Sequence, residues 1–404
     1  MTGRNPKIRF REFTDDWERR SLSDFTYFAG KRNKKNLPLR PYAITNDKGF
    51  VPQDEAHNEF GYMKNVDRTA YNIVPPNSFA YNPARINVGS IGYYAGPEDV
   101  IVSSLYEVFQ ADSSVYDRFL WYWLNTDEFP RWIKRLQEGS VRLYFYYDKL
   151  CECEMSVPTI AEQRKIADFL DSLHSAICAY QDELSALYKI KTGFINDIFS
   201  KKIRFKDTNS NDFPEWEHVE LNTIGKFCRG GSLGKEDITE SGTKCILYGQ
   251  LYTTYREVID NVDTYCEEKR NLVYAKENDL LFPLSTTVDN LSLISPSAVC
   301  VDDIAIGGDI AIFRPERDSA IFLSYQINNY LKTEFARYAQ GSTIVHISPI
   351  NIGQRKVWLP SLPEQLKISN FLSIFDKRIA IKEKEIELLK VLEKGFLQKM
   401  FINN

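Results

Sequence analysis

The sequence has few of the residues that build metal sites and disulfide frameworks. Seven cysteines show no pairing pattern, and Cys151 with Cys153 forms a C-x-C motif, not the C-x-x-C of zinc knuckles. Only four histidines occur, and they lie far apart, at His57, His174, His218 and His346. These absences predict reduced thiols, no metal site and a cytoplasmic location.

Long apolar runs and targeting segments are missing as well. The N-terminal stretch RNPKIRFREF is charged and lacks an apolar core, so we expect no secretory signal. No uncharged apolar run approaches the ~18 residues of a membrane span, so we expect no membrane association. The formal net charge of -4 excludes a uniformly basic coat but leaves room for local basic faces.

Catalytic motifs are missing too. The chain contains no G-x-x-x-x-G-K-[ST] loop, whose backbone amides would hold nucleotide phosphates. Adenine methyltransferases usually carry N-P-P followed by an aromatic residue, whereas Asn82-Pro83-Ala84 breaks that pattern and Val74-Pro75-Pro76-Asn77 has the wrong order. No carboxylate–lysine cluster typical of a nuclease stands out, so we expect the chain to be non-catalytic.

An internal repeat dominates what is present. Residues 157–199 and 359–401 align at an offset of 202 without a gap, with 13 of 43 positions identical. The same offset places Gly139-Ser140 opposite Gly341-Ser342. A looser copy opens each half, where KIRF at 7–10 recurs at 202–205 and Trp17 recurs as Trp216. With 404 residues, 43% of them hydrophobic, the chain has room for two to four domains.

Both copies of the repeat predict a long helix. Apolar residues recur in steps of four and three, which is the spacing of a coiled-coil seam. Prolines at 158 and 360 stand just before each helix, which could run for ~40 residues or ~60 Å. The seam residues are Ile166, Leu170, Leu173, Ile177, Tyr180, Leu184 and Leu187 in the first copy, and Ile368, Leu372, Phe375, Ile379, Lys382, Ile386 and Leu389 in the second. We expect the two helices to pack on each other within one chain; the alternatives are two separate dimerisations, or helices that each cover only their own half.

The halves between the repeated segments predict α+β domains. Short runs at 78–81, 101–106 and 279–282 indicate strands, and 119–124 and 322–331 indicate short helices. We therefore divide the chain into a first domain at 1–157, a first spacer helix at 158–200, a second domain at 201–358 and a second spacer helix at 359–404.

This plan resembles the specificity subunits of type I restriction-modification systems. The pattern P-x-x-x-E-Q-x-K-I-x-x-F-L occurs at 158–170 and 360–372 and is similar to the start of that family's conserved helices. Tryptophan–glutamate pairs at Trp17 and Trp216 are similar to its domain openings. The segment 341–349, GSTIVHISP, is similar to one near the end of its recognition domains, whereas the counterpart at 139–147 keeps only Gly-Ser.

The resemblance implies a function and a set of partners. Two target-recognition domains, separated by two antiparallel helices in a pseudo-twofold repeat, would each read one half of a split site in double-stranded DNA. The helices would also dock two methyltransferase subunits, which methylate adenine at N6 with S-adenosylmethionine. Motor-nuclease subunits using ATP and Mg would cut unmethylated DNA. The chain itself would carry no cofactor.

Candidate DNA-binding residues in the first half lie in three segments. Residues 1–40 hold eleven lysines or arginines against five acidic residues, and the run containing Lys31, Arg32, Lys34 and Lys35 is predicted as a loop that contacts phosphate. In the second segment, strand alternation would place Arg142, Tyr144 and Tyr146 on one face. In the third segment, a turn after a strand would present its candidates to bases. These candidates are Tyr81, Asn82, Arg85 and Asn87. Solvated charge, core aromatics and a structural turn are the alternative interpretations.

The second half offers two comparable segments. One follows a strand and contributes Ser285, Thr286 and Thr287; the other contributes Gln340, Ser342, Thr343 and His346, where a structural histidine is the alternative. Because a 60 Å spacer spans about 17 base pairs at ~3.4 Å each, we expect half-sites separated by an unspecific gap. A protein scaffold built on the coiled coil and an orphan specificity protein remain alternative functions.

Overall fold

The computed structural model describes residues 5–46, 49–56, 67–139, 143–267 and 271–402, which form two compact units. The first unit comprises residues 1–181 and 384–404, and the second comprises residues 182–383. Each unit therefore contains one predicted recognition domain, the beginning of one long helix and the end of the other. None of the helices in these described ranges combines the length and the hydropathy of a membrane span.

The described part of the first unit has eleven strands in three sheets. The strands are β1 (Glu18–Ser21), β2 (Thr26–Phe28), β3 (Lys31–Arg32), β4 (Pro41–Thr45), β5 (Gly49–Pro52), β6 (Asn72–Val74), β7 (Ser78–Tyr81), β8 (Ile91–Tyr94), β9 (Val100–Val102), β10 (Glu107–Ala111) and β11 (Glu154–Val157). Their orders are β1-β11, β2-β10-β7-β8 and β3-β6-β9-β4-β5. Strands β4 and β9 pair in parallel, and the other named pairs are antiparallel. All four residues of β7 are buried, as expected for an inner strand covered on both faces.

Four short α-helices and the start of a long one complete the described part of the first unit. They are α1 (Gln53–Ala56), α2 (Asp117–Leu124), α3 (Glu128–Leu136) and α4 (Tyr147–Cys151), and the long helix α5 (Ile160–Phe199) begins here. The core joins Phe79 and Phe109 on the sheet, which stack with centroids 4.9 Å apart, to Phe119 and Trp123 of α2. Leu170 of α5 is buried in the same core, so this helix is anchored to its own domain at its start.

The second unit repeats this plan, with fourteen strands among its described residues. They are β12 (Glu217–Glu220), β13 (Gly225–Arg229), β14 (Ile238–Thr239), β15 (Thr243–Ile246), β16 (Val258–Ile259), β17 (Tyr265–Cys266), β18 (Tyr274–Ala275), β19 (Leu280–Pro283), β20 (Ser285–Thr286), β21 (Ser297–Val299), β22 (Ile304–Ile306), β23 (Ile310–Pro315), β24 (Val345–His346) and β25 (Lys356–Leu359). The helices are α6 (Gln250–Thr253), α7 (Asn290–Leu293), α8 (Ala320–Tyr325), α9 (Lys332–Ala336), α10 (Pro349–Gly353) and the long α11 (Leu362–Lys399). A π-helical turn, Gln326–Tyr330, continues α8.

Most strands of one unit have a counterpart in the other, although among the described residues the pair β20-β24 belongs to the second unit alone. The order β2-β10-β7-β8 matches the first four strands of β13-β23-β19-β21-β16, and the pair β1-β11 matches β12-β25. Each domain also has a five-stranded mixed sheet, β3-β6-β9-β4-β5 in the first and β14-β17-β15-β22-β18 in the second. The α+β class predicted from the sequence is therefore confirmed. The predicted strand at 101–106 is wrong in extent, because β9 ends at Val102 and a turn precedes β10.

The long helices pair antiparallel within each unit; the heptad spacing predicted the pairing, and the family resemblance implied its direction. In the first unit, Phe169 packs edge-on against Phe396 with centroids 5.0 Å apart. In the second, Phe194 packs against Phe371 at the same distance. Every predicted seam residue is buried or half-buried; Ile166, Leu170, Ile368 and Leu372 also belong to the domain cores. Each helix therefore packs on its own domain near its start and on the partner helix further along. Both arrangements considered from the sequence occur.

The Glu-Gln pair of the repeated motif fixes each helix to the opening of its domain. In the first unit, Glu162 accepts two hydrogen bonds from Arg9, at 2.7 and 2.8 Å, and one from the Trp17 indole at 3.2 Å. Gln163 accepts from the backbone amide of Tyr116, which precedes α2, at 2.7 Å. Because the Glu162 side chain is only 1% exposed, its charge depends on Arg9 for compensation.

The second unit repeats these bonds with its own residues. Glu364 accepts from Arg204 at 3.2 and 3.0 Å and from the Trp216 indole at 3.2 Å. Gln365 accepts from the amide of Ser319, which precedes α8, at 2.9 Å. The motifs that the sequence repeats, KIRF, Trp-Glu and Glu-Gln, thus meet at one place in each unit.

Candidate nucleic-acid interface

In the first unit, two of the predicted DNA-binding segments meet at one groove of about 820 Å³. The turn after β7 is closed by Asn82, whose side-chain oxygen accepts from the amide of Ala84 at 3.0 Å. The segment that precedes α4 reaches this turn through the Phe145 amide, which donates to the Pro83 carbonyl at 3.0 Å. Two segments that are far apart in the sequence therefore line one surface.

A pair of tyrosines forms one wall of this groove. Tyr144 and Tyr146 stack with their ring planes 2° apart and centroids 5.4 Å apart, while Phe145 between them is buried in the core. Both tyrosines lie on one side, as the alternation predicted, but the predicted strand is wrong, because among residues 143–146 only an isolated bridge at Tyr144 occurs. Tyr146 is 48% exposed, so an aromatic face is open to a ligand. Such faces stack on bases.

Two arginines and one carboxylate line the same groove. Arg32 and Arg85 are both exposed, and Arg32 donates to the Ala70 carbonyl at 2.6 Å. Burial raises the pKa of Glu107, whose carboxylate accepts from the Tyr81 hydroxyl at 3.0 Å. The groove can therefore offer guanidinium donors, the Asn82 amide and a carboxylate acceptor to base edges.

The structure changes the interpretation of several candidates in the first half. Tyr81 is fully buried at the end of β7, so it positions Glu107 from below and does not present its ring to the open surface. Lys31 and Arg32 form a strand paired with β6, not a loop, because their backbone completes a sheet edge. Lys34 and Lys35 follow in an exposed turn outside the groove.

One further candidate in the first half does not line the groove, and another cannot be placed. Asn87 is exposed and lines a different cavity of the first unit, about 1200 Å³ in volume. Arg142 lies outside the described residues.

Sequence reasoning missed several residues that line the groove. Phe28, at the end of the edge strand β2, is 51% exposed, and Leu105, in the turn before β10, is 68% exposed. Glu107 was missed as well. Apolar residues in strand patterns are usually core residues, so nothing in the linear sequence marked Phe28 or Leu105 as exposed. The one available signal was that each stands near a turn.

The second unit brings its two predicted segments together at the equivalent place. Strands β20 and β24 pair so that Ser285 lies opposite His346, and the Ile347 amide donates to the Leu284 carbonyl at 3.1 Å. The isolated bridge between Glu138 and Tyr144 recurs as that between Gln340 and His346, at the repeat offset of 202. Gly139 and Gly341 have φ of 128° and 114°, a conformation that glycine tolerates, so the bridge and the glycine conformation beside it both occur twice.

The exposed surface of the second segment pair differs from the first. Its exposed candidates stand beside Val288 and Ile344, which are 62% and 49% exposed. Two candidates need correction, because Ser285 and Thr286 are buried in β20, where Ser285 donates to Asp309 at 3.0 Å. They hold the surface in shape but do not face outward. This surface is hydroxyl-rich and apolar where the first is aromatic and basic. The exposed candidates are Thr287, Gln340, Ser342, Thr343 and His346.

Two α+β domains with equivalently placed but unlike exposed surfaces, each followed by a long helix, define a duplicated recognition protein. The chain belongs to the family described as "Type I restriction modification DNA specificity domain", whose model matches residues 14–185 and 214–391. The two matches fall on the two halves of the internal repeat.

Individual relatives agree with this assignment. Over 97% of this chain and 94% of the relative, it is 22% identical to a putative type I restriction enzyme MjaX specificity subunit of Methanocaldococcus jannaschii. It is 23% identical to the MjaVIII specificity subunit of the same organism, covering 95% and 91%. A crystal structure of a type I restriction-modification S subunit from M. genitalium shares the fold, with a TM-score of 0.61, 15% identity and coverage of 98% and 99%.

Proposed function

We propose that this chain reads a two-part site in double-stranded DNA, one half-site with each unit, and so directs adenine-N6 methylation and restriction by partner subunits. Family membership supports DNA specificity as its role. The observation that carries the two-part site is that equivalently placed segments of the two units present different side chains among the described residues. A repeated scaffold with unlike surfaces suits the reading of two unlike sequences.

Phosphate and base contacts would be divided among the residues of the first unit. The exposed Lys34 and Lys35 would contact phosphate, which adds affinity but no sequence preference. Arg85, Asn82 and Glu107 in the groove have the donors and acceptors that read base edges. In the second unit, which has its own exposed candidates, Thr287, Thr343 and His346 would take the corresponding roles.

Catalysis would belong to partner subunits. A solved structure that shares this fold, at a TM-score of 0.54 and 16% identity over 94% and 96% of the two chains, is described under complex assembly of a type I restriction-modification system. We propose two methyltransferase subunits using S-adenosylmethionine, and motor-nuclease subunits using ATP and Mg, as partners of this chain. The chain itself would need no cofactor.

The first experiment is a single-molecule methylation map of DNA from cells that express this chain with its methyltransferase subunit. We expect modified adenines on both strands of a two-part motif with an unspecific gap, and loss of the motif when this chain is deleted. A continuous short motif would contradict the two-part reading. No motif, with the methyltransferase present, would favour an orphan protein or a scaffold.

A residue-level version uses Arg85→Ala in the groove and Arg19→Ala on β1 as its charge-matched control. Losing a bidentate base contact costs about 1–3 kcal/mol, so Arg85→Ala should relax one position of one half-site. Arg19 is exposed and paired with Glu154 outside the groove, so its removal should leave the motif unchanged. An unchanged motif in both variants would remove Arg85 from base reading.

A further inference from the structure

The long helices carry one polar contact at equivalent positions in each unit. In the second unit, Lys191 of α5 donates to Asp376 of α11 in an ion pair at 2.5 Å. In the first unit, His174 of α5 lies 3.0 Å from Glu393 of α11. Position 376 is position 174 plus the repeat offset of 202, and position 393 is position 191 plus the same offset. The two contacts are therefore the same site of the repeat, seen twice.

The basic and the acidic residues of this site are divided between the two helices. At the 191 and 393 positions, α5 carries a lysine and α11 carries a glutamate. At the 174 and 376 positions, α5 carries a histidine and α11 carries an aspartate. The basic members are thus both on α5, and the acidic members are both on α11. Each helix is complementary to the other at both places.

Pairing of like helices from two copies of the chain would lose this complementarity. The two contacts share one antiparallel register. From the His174–Glu393 contact to the Lys191–Asp376 contact, the residue number rises along α5 by as much as it falls along α11. In that register, two α5 helices would place His174 against Lys191, and two α11 helices would place Asp376 against Glu393. In an α11–α11 pair, Lys382 and Glu385 would come near each other and attract. The repulsion that disfavours this pair must therefore come from the 376–393 site.

Burial makes the mismatch costly. The Lys191 side chain is only 9% exposed and also lies 3.5 Å from Glu257 of the second domain. In an α5–α5 pair, Lys191 would exchange Asp376 for a histidine and keep only the longer contact with Glu257, and the loss of a close carboxylate partner is unfavourable for a buried charge. In an α11–α11 pair, Asp376 would lose its lysine and gain Glu393. Carboxylates would then crowd one partly buried place.

We propose that this division of charge selects α5–α11 pairing. It disfavours α5–α5 and α11–α11 pairing between two copies of the chain. Since the hydrophobic seam is nearly the same on both helices, the seam alone does not distinguish them. The polar site supplies the difference, in the way that charged positions set partner choice in coiled coils. The inference concerns assembly and does not depend on which DNA is read.

The test removes the discrimination while keeping the native contact. The full-length double variant His174→Glu/Glu393→Lys keeps an opposite-charge pair in the first unit. It also makes both like pairs favourable, because Lys191 would face the glutamate introduced at position 174, and Asp376 would face the lysine introduced at position 393. The control His174→Lys keeps the native attraction to Glu393 and worsens the α5–α5 pair. Because the His174 side chain is 58% exposed, both changes suit a folded chain.

Each protein is unfolded, refolded across a wide range of concentration and sized by light scattering. We expect wild type and His174→Lys to return as monomers, and the double variant to form at least ~10-fold more dimer. Cross-linking between isotopically distinct copies should then join α5 to α5. A double variant that stays monomeric, or a dimer without that cross-link, overturns the proposal.

A second measurement covers the case in which the double variant does not refold. Wild type is then refolded at the highest concentration it tolerates and cross-linked in the same way. Dimers that carry α5–α5 cross-links would overturn the proposal, and their absence, with α5–α11 cross-links present, would support it.

Discussion

Trp17 and Glu162, 145 residues apart in the chain, are joined by an indole hydrogen bond of 3.2 Å, and Trp216 and Glu364 repeat that bond at the same length. Arg9 and Arg204 neutralise the two glutamates from the other side. The bond ties the first turns of a long helix to the opening of the domain before it. Its buried carboxylate should therefore matter for the stability of each unit.

Glu162→Gln should lower the free energy of unfolding by about 2–4 kcal/mol. The change leaves Arg9, which is largely covered, without its carboxylate, and breaking a buried ion pair costs about 3–5 kcal/mol, part of which the amide recovers. Urea unfolding followed by circular dichroism measures the effect. Glu154→Gln, which breaks an exposed pair with Arg19, should cost less than about 1 kcal/mol. Equal losses in the two variants would contradict the structural role of Glu162.

Ile379→Ala and Ile381→Ala form a matched pair on α11. Ile379 is fully buried in the seam and Ile381 is 60% exposed. Truncating the buried residue should cost about 2–5 kcal/mol, whereas the exposed one should change stability by less than about 0.5 kcal/mol. Urea midpoints compared at constant slope test this difference. Similar losses at both positions would mean that the seam does not lie where the structure places it.

Glu107→Gln should change the base preference at one position of the half-site read by the first unit. A carboxylate accepts from the exocyclic amino group of cytosine or adenine, whereas an amide can also donate. Methylation mapping of the assembled complex reports the change. Glu98→Gln, an exposed change outside the groove, is the control and should leave the motif intact. An unaltered motif in Glu107→Gln would limit Glu107 to its contact with Tyr81.

Asp117→Asn should stabilise the protein at pH 7. Burial raises the pKa of Asp117 from 3.8 to about 6, so the folded chain binds this proton more tightly than the unfolded chain does. The resulting stabilisation is complete below about pH 3.8 and is lost as the pH rises through 6. Allowing for solvent screening, we expect a gain of about 1–2 kcal/mol at pH 7, and less at pH 4.

Thermal unfolding at pH 4, 5, 6 and 7 measures the pH dependence of the Asp117→Asn effect. The exposed Asp99→Asn, which makes the same chemical change at the surface, is the control and should change stability at pH 7 by less than about 0.5 kcal/mol. A gain that stays constant over this range would contradict the raised pKa of Asp117 and would have to come from another effect of the substitution.

Local patterns predicted the parts of the fold that depend on short-range order. The steps of four and three residues identified α5 and α11 and their seam, because helical geometry fixes which residues share a face. The alternation in 144–146 likewise placed Tyr144 and Tyr146 together, since successive side chains of extended backbone point to opposite sides. These features required no knowledge of distant contacts.

Tertiary structure decided which polar and aromatic residues are exposed. Tyr81 and Phe28 both occur in strand patterns, yet Tyr81 is covered on an inner strand and Phe28 is open on an edge strand. Strand order depends on pairings between residues far apart in sequence, which single-strand patterns do not encode. For the same reason, Ser285 and Thr286 looked like exposed turn residues but pair with β24.

The sequence by itself determined that this chain contains an internal duplication, with two α+β domains and two long helices that carry matching seams. Only the tertiary structure showed that Glu162 and Glu364 make equivalent contacts, one in each unit. It also showed that Arg85 and Glu107 line one groove, and that Lys191 faces a carboxylate. Periodicity and repetition are properties of neighbouring residues and can be read along the chain. Burial and charge pairing depend on which distant segments meet, and the folded backbone settles that.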